Sequence, residues 1–190
     1  MKYKFNKGQF MNALKLLLIT SLFIPLSTYA KDLQIDPAHS SVTFVAKHLK
    51  ISEIPGKFTS FTGSIDLNEK DLTKSKVNLE IDVSSINTAV DKRDQHLKSP
   101  DFFDAAKFPK ASFVSTNIKK SGSSYVVTGN LKIRDLSKKV SFQMKKLGEV
   151  EDPMMKTKKY VFQASGKINR RDFGVNYGPD AIVGDIVSLD

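Results

Sequence analysis

Two of the chain's three histidines, His39 and His48, bracket the stretch DPAHSSVTFVAKHL (residues 36–49), and the third, His96, sits in KRDQHLKSPDFFDAAKFP (residues 92–109). Histidine is the residue of first resort for proton transfer near neutrality and for binding a transition metal. A zinc site needs three or four converging ligands, usually with a close pair among them. The sequence holds no cysteine, no H-x-H and no H-x-x-x-H, and His39 and His48 have opposite parity along a straight strand. Ser40 beside His39 has no identifiable acid or oxyanion partner with which to form a nucleophilic triad. No metal site and no catalytic residue is therefore assigned. His39 is expected to anchor the entry of the chain by hydrogen bonds. His48 and His96 are expected to be buried polar groups near one end of an apolar interior, with partners, because an unpaired one is costly there.

Two further groups could recognise a ligand. Arg93, Asp94, His96, Asp101, Phe102, Phe103 and Asp104 crowd into one charged, loop-like segment. Aromatic side chains in such a segment must pack on something, and a lid or plug across one end of the fold, with Phe102 and Phe103 turned inward, is the expected arrangement. Arg93 has the planar fork that suits a phosphate or amide oxygen; an ion-pair network with Asp94 or Asp104 is the alternative. Arg170, in NRRDFG (residues 169–174), is the second basic candidate, beside a turn that Asp172 would cap and Gly174 would close.

The elements that must hold these residues are strands. Period-two alternation runs almost from end to end: Phe61-Gly63-Ile65-Leu67, Val77-Leu79-Ile81-Val83, Ala111-Phe113-Ser115, Tyr125-Val127-Gly129-Leu131-Ile133, Val140-Phe142-Met144 and Tyr160-Phe162-Ala164-Gly166-Ile168. With HSSVTFVAKHL before them and AIVGDIVSLD after them, this predicts eight strands, SGSS (121–124) forming a hairpin and EDP (151–153) a loop. The single helical candidate is Thr88–Ser99, between the third and fourth strands. Eight mostly antiparallel strands form a sandwich or close into a barrel, and a closed barrel of that size is either filled by side chains or holds one small ligand. Ala46, Gly63, Ala111, Gly129, Ala164 and Gly166 on the inner face would leave room, although a strand glycine also marks bends.

Composition and address narrow the function. Residues 1–30 carry Lys2, Lys4, Lys7 and Lys15 without an acid, then an apolar run Leu16–Leu26, then STYA. That order is expected of a secretory signal peptide cut before Lys31, leaving residues 31–190 as a single periplasmic domain that no disulfide staples. Without the four leader lysines, 26 Lys and Arg face 20 Asp and Glu, a net of +6. The basic pairs Lys119-Lys120, Lys138-Lys139 and Lys158-Lys159 fall at turns or strand ends rather than in a concentrated stripe, which argues against nucleic-acid binding and leaves open an affinity for anionic surfaces.

IDPAHSSVTFVAKHLKISEIPGKFTSFTGSI, KRDQHLKSPDFFDAAKFPKASF, VTGNLKIRDLSKKVSF and GKINRRDFGVNY followed by VGD closely resemble the YceI-like family of exported lipid-binding proteins, across nearly all of residues 33–188. The resemblance implies an all-β fold, an eight-stranded antiparallel β-barrel of lipocalin-like architecture with a short helical lid segment. It also implies a central apolar tunnel that takes a long-chain amphiphile, typically a polyprenyl pyrophosphate or a quinone, with fatty amides in some relatives. The chain departs from the pattern in the short YGPDAI before VGD and in a closing strand that reaches only SLD.

On that resemblance Phe44, Phe61, Ile65, Leu79, Ile81, Phe113, Tyr125, Val127, Leu131, Phe142, Met144, Phe162 and Ile168 are assigned to the tail-lining wall. Arg93, His96, Asp101, Phe102, Phe103, Arg170 and His48 are assigned to the lid or head-group end. The expected protein is a non-enzymatic carrier or sink for an isoprenoid lipid, with no cofactor beyond that ligand. Fatty-acid or fatty-amide binding is the alternative, and a histidine-dependent enzyme a more distant one. Transient contact with a membrane surface and a homodimer are the partner readings left open.

Overall fold

Residues 31–190 are described by the structure, a computed structural model; the leader expected over residues 1–30 lies outside the described residues. The strands are β1 (Lys31–Gln34), β2 (Val42–His48), β3 (Ser52–Phe58), β4 (Phe61–Leu67), β5 (Lys76–Asp82), β6 (Ile86–Asn87), β7 (Lys110–Ser121), β8 (Ser124–Ile133), β9 (Leu136–Glu151), β10 (Lys158–Asn169) and β11 (Val183–Leu189). One α-helix, α1 (Asp91–Lys98), lies between β6 and β7. All strands belong to one antiparallel sheet in the order β1-β4-β5-β7-β8-β9-β10-β11-β2-β3-β6.

The sheet is strongly curled because its two ends are tied together by the chain. β3 lies near one end of the order and β4 near the other, yet only Thr59 and Ser60 separate them. The corner stays hydrogen-bonded: Thr59 N donates to Ser85 O at 3.2 Å and Asp82 N to Ser60 O at 3.0 Å. The apolar faces of the strands therefore meet inside. One cluster gathers Phe113, Ile118, Val127, Leu131, Met144, Ile168 and Phe173, and a second gathers Phe61, Ile81, Val83 and Ala111.

Among the described residues the expected count of eight strands is corrected to eleven. β1, β3 and β6 are additional, and each is weak in sequence for a physical reason. β6 is two residues long. β3, SEIPGKF, contains Pro55 and Gly56, which ordinarily argue against a strand. Proline is tolerated because β3 pairs fully with β2 but meets β6 only at Lys57 and Phe58, so its other side is open at Pro55. Gly56 leaves room for the ring of its paired neighbour, since a Cβ there would lie 2.2 Å from Cζ of Phe44.

The alternation read from β7 to β10 is a set of long hairpins with two irregularities, a register shift in β7 between Ser115 and Asn117 and another opposite Val161 and Phe162 of β10. The SGSS hairpin forms, with Ser121 paired to Ser124 and Gly122 at φ 59°. The helix falls inside its expected span. Its first turn carries Asp91 and Asp94, favourable against the helix dipole, and the buried Asp94 carboxylate accepts from Thr88 N at 2.9 Å and Thr88 Oγ1 at 2.5 Å.

Candidate functional site: an elongated apolar cavity

The curled sheet encloses a cavity of about 1500 Å³. β10 runs its length, from Lys158 to Asn169, and twelve residues of strand span roughly 35–40 Å. The wall is made by inward positions of nearly every strand: Val42, Phe44 and Ala46 of β2; Phe61 and Ile65 of β4; Val77, Leu79 and Ile81 of β5; Ala111, Phe113 and Ile118 of β7; Val127, Leu131 and Ile133 of β8; Phe142 and Met144 of β9; Phe162, Ala164 and Ile168 of β10; Val187 and Leu189 of β11.

Ala46, Ala111 and Ala164 border the cavity directly, whereas Gly129 and Gly166 make room at one remove. The space beside Gly129 is occupied by the Phe113 ring and that beside Gly166 by the Phe142 ring, at 2.5 and 2.7 Å from where a Cβ would stand. The rings lie against the backbone of the neighbouring strand instead of across the lumen. Phe113 and Phe142 also meet edge to face at 5.3 Å. Among the described residues no buried side-chain nitrogen or oxygen lacks a hydrogen-bond partner. The wall makes no polar demand on an occupant, and its chemistry is the burial of apolar surface, about 0.8 kcal/mol per CH₂.

All the wall candidates named from the sequence border this cavity except Tyr125, which packs on the Phe113–Ile118–Val127 cluster near the β7–β8 hairpin.

One end of the cavity is closed by Leu97 of α1, Phe102, Phe103, Phe173 and Val175. Phe103 meets Phe58 edge-on at 6.3 Å, and Phe102 packs beside His96 and Tyr177 at 5.0 and 5.1 Å between ring centres. The polar residues assigned to this end are built into the scaffold. Arg93 donates from Nε to Thr88 Oγ1 and from Nη2 to Thr88 O, both at 2.7 Å, and does not reach the cavity. His96 lies 2.9 Å from the Asp101 carboxylate, half-exposed rather than buried, and neither residue borders the cavity. His48 ends β2 at the surface, beyond the apolar wall, so the buried position expected for it is corrected. His39 holds the Asp36 carboxylate at 3.0 Å, and this bond is the leading reason that the Asp36 carboxyl is held below its usual range. Among the described residues no three potential metal ligands converge.

Arg170 does border the cavity, but its donors are spent. A guanidinium has five N–H groups. Here Nε meets Gly184 O at 3.2 Å, Nη1 meets Val175 O and Tyr177 O at 2.7 and 2.9 Å, and Nη2 meets Gly178 O, Val183 O and Asp185 Oδ1 at 3.0, 2.9 and 3.0 Å. Burial, then the neighbouring Arg171, pushes this guanidinium down from its usual range. Arg134, which the sequence reading passed over, ties the same end together by donating to Phe102 O at 3.0 Å and Gly174 O at 2.9 Å. The only signal for it was the short β8–β9 turn, where Arg134 takes φ 56°.

The opposite end carries a charged cluster that the sequence reading missed. Lys31, Lys146 and Lys158 surround the Tyr160 ring with their ammonium nitrogens 5.2–5.6 Å from its centre. Tyr160 donates to Glu69, while Glu149 receives Lys146 and, at 2.7 Å, Lys158. The Lys146 bond and then the Lys158 bond hold the Glu149 carboxyl down at about 2. Lys31, Glu149, Lys158 and Tyr160 all border the cavity. The retrievable signal was parity, since Tyr160 alternates with Phe162 on the inner face.

Comparison with known proteins agrees with this architecture. The family model described as YceI-like domain matches residues 33–190. Protein YceI of Salmonella newport is 37% identical over 166 residues, covering 86% of each chain. Among solved structures, BcnA of Burkholderia cenocepacia superposes with a TM-score of 0.74 at 26% identity, over 82% of this chain and 95% of that one. A polyisoprenoid binding domain from Saccharophagus degradans superposes with a TM-score of 0.61 at 16% identity, over 85% of this chain and 95% of the other, a likeness of fold.

Proposed function

Since the chain belongs to the YceI-like family, we propose that it is a non-enzymatic carrier or sink for a long-chain isoprenoid amphiphile. The observation that carries this reading is the elongated cavity of about 1500 Å³, apolar along its length, with polar groups gathered at its ends. An apolar tail needs a dry, continuous wall and little else, and even a partly buried prenyl chain gains several kcal/mol at about 0.8 kcal/mol per CH₂. The helix and the segment through Phe103 serve as the lid. A polar head group rests at the Tyr160 end, where lysines border the cavity, rather than on Arg93 or Arg170. The polyisoprenoid-binding character of the Saccharophagus degradans domain supports the isoprenoid class.

The order of residues 1–30 supports export to the periplasm, with a mature chain beginning at Lys31. Amino-terminal sequencing of the protein recovered outside the cytoplasm tests this, and an intact leader on cytoplasmic protein would overturn it.

The ligand is tested by mass spectrometry of an organic extract of natively purified protein. A polyprenyl compound at close to one per chain is expected. A fatty acid or fatty amide in its place would select the alternative occupant, and a clean extract with no uptake of added isoprenoid would overturn the carrier reading.

A further inference from the structure

The outer surface of the β9–β10 hairpin changes character at the register shift. Antiparallel sheets normally turn apolar residues to the core and polar ones to water, and lower β9 follows that rule with Lys139, Ser141, Gln143 and Lys145 outward. Opposite Val161 and Phe162 the register slips, leaving Leu147 unpaired. Above the slip the polarity is inverted. Glu149 and Tyr160 form an inward pair, while Val150 and Val161 point outward. Leu147 is 59% exposed, Val150 60% and Val161 49%.

The loop at the tip continues the patch. Met154 is 89% exposed and Met155 70%. They are held there, since Asp152 Oδ1 accepts from both of their amides at 2.9 Å and Asp152 N donates to Thr157 O at 2.8 Å. The charges pointing inward are largely paired, Glu149 being taken by Lys146 and Lys158. Lys145 and Lys159 share the outer face with the apolar residues, Lys159 also reaching the Asp36 carboxylate at 3.7 Å, and Lys156 flanks the methionines.

We propose that this hairpin tip is a docking surface for an anionic lipid bilayer. Apolar side chains that dip into the head-group boundary, flanked by lysines that meet lipid phosphates, are what an interfacial anchor requires. The position favours a bilayer over a second copy of the chain, because Val150, Lys158, Lys159 and Val161 border the cavity as well. A docked tip places the cavity's charged end against the membrane, so that an apolar tail passes between bilayer and wall with little exposure to water. The purpose of docking rests on the carrier reading; the docking itself does not.

Co-sedimentation with vesicles of equimolar phosphatidylglycerol and phosphatidylcholine tests it, with variants first shown to be folded by circular dichroism. The protein should pellet with the vesicles, and Met154→Asp combined with Met155→Asp should weaken this by about tenfold or more. Val114→Asp, the same change on the outer face of β7 where Val114 is 48% exposed, should leave it unchanged. No pelleting of the unaltered protein, or an equal loss in both variants, would overturn the proposal. So would a dimer dispersed by the methionine changes without any vesicle association, which would assign the patch to contact between copies. Isoprenoid binding is titrated in parallel. Protein that takes no isoprenoid yet pellets through the same methionines upholds the docking and removes the carrier reading.

Discussion

The ring of Phe113 on β7 occupies the place where a side chain at Gly129 on β8 would begin, with Cζ 2.5 Å from an ideal Cβ and the Val114 carbonyl oxygen at 2.4 Å. Ring and glycine together set how far the wall stands back from the lumen. The ring could swing away, but the carbonyl belongs to a paired strand and could move only with its ladder.

Gly129→Ala is therefore expected to destabilise the fold by about 1–3 kcal/mol, the usual cost of overpacking. Chemical denaturation checks this. A variant as stable as the parent would show that β7 and β8 separate more easily than their register implies.

Arg170 presents the opposite case, a residue whose chemistry suggested a ligand and whose surroundings have used it up. Its six acceptors lie on the chain from Val175 to Asp185. Arg170→Gln leaves several backbone carbonyls short of a donor, while Asp185 keeps Arg171 Nε at 2.6 Å, and about 3–5 kcal/mol of stability should be lost, at about 1–3 kcal/mol for each buried acceptor left unmet. Thermal unfolding measures this. A variant of unchanged stability, with affinity lost only for pyrophosphate-bearing ligands, would restore Arg170 to the head-group role.

The Tyr160 cluster has a pH signature. The Glu149 carboxyl is lowered from the usual 4.5 to about 2, mainly by the Lys146 bond and next by Lys158, and Lys158 is raised in turn, chiefly by Glu149. A depressed carboxyl stabilises the folded state above its unfolded value and loses that contribution as pH falls through its folded value. The contribution of Glu149 is therefore complete above 4.5 and fades between 4.5 and about 2. A carboxyl NMR titration should give a midpoint near 2 that moves up toward the ordinary range in Lys146→Met. A midpoint already near 4.5 in the parent would mean that the cluster is open in solution.

Much of this was legible in the sequence because β7 to β10 alternate over most of their length, broken only at the two register shifts, and alternation reports directly on which face is buried. β3 was hidden because Pro55 and Gly56 read as breakers, and only the open side of that strand and the Phe44 ring account for them. The wall was legible for the same reason as the strands. The charged end was not, because it joins Lys31, Glu69, Lys146 and Tyr160 across the chain, and because the slip beside Leu147 exchanges inside for outside on β9, while of these residues only Tyr160, on β10, keeps the parity of Phe162. Arg93 and Arg170 drew a head-group reading because a guanidinium suits a phosphate and a backbone carbonyl equally well, and the acceptors that hold them here lie within the chain itself.

The cavity's capacity for a single long apolar chain is tested most directly by filling it. Ala164 lies on the wall and has open space before it, so Ala164→Trp should fold normally and occupy the lumen. Native mass spectrometry of the intact protein with an added polyprenyl compound should show one ligand per chain in the parent and at least about a tenfold loss in Ala164→Trp. Equal occupancy in the parent and in a correctly folded Ala164→Trp would place the ligand outside the cavity and contradict the account.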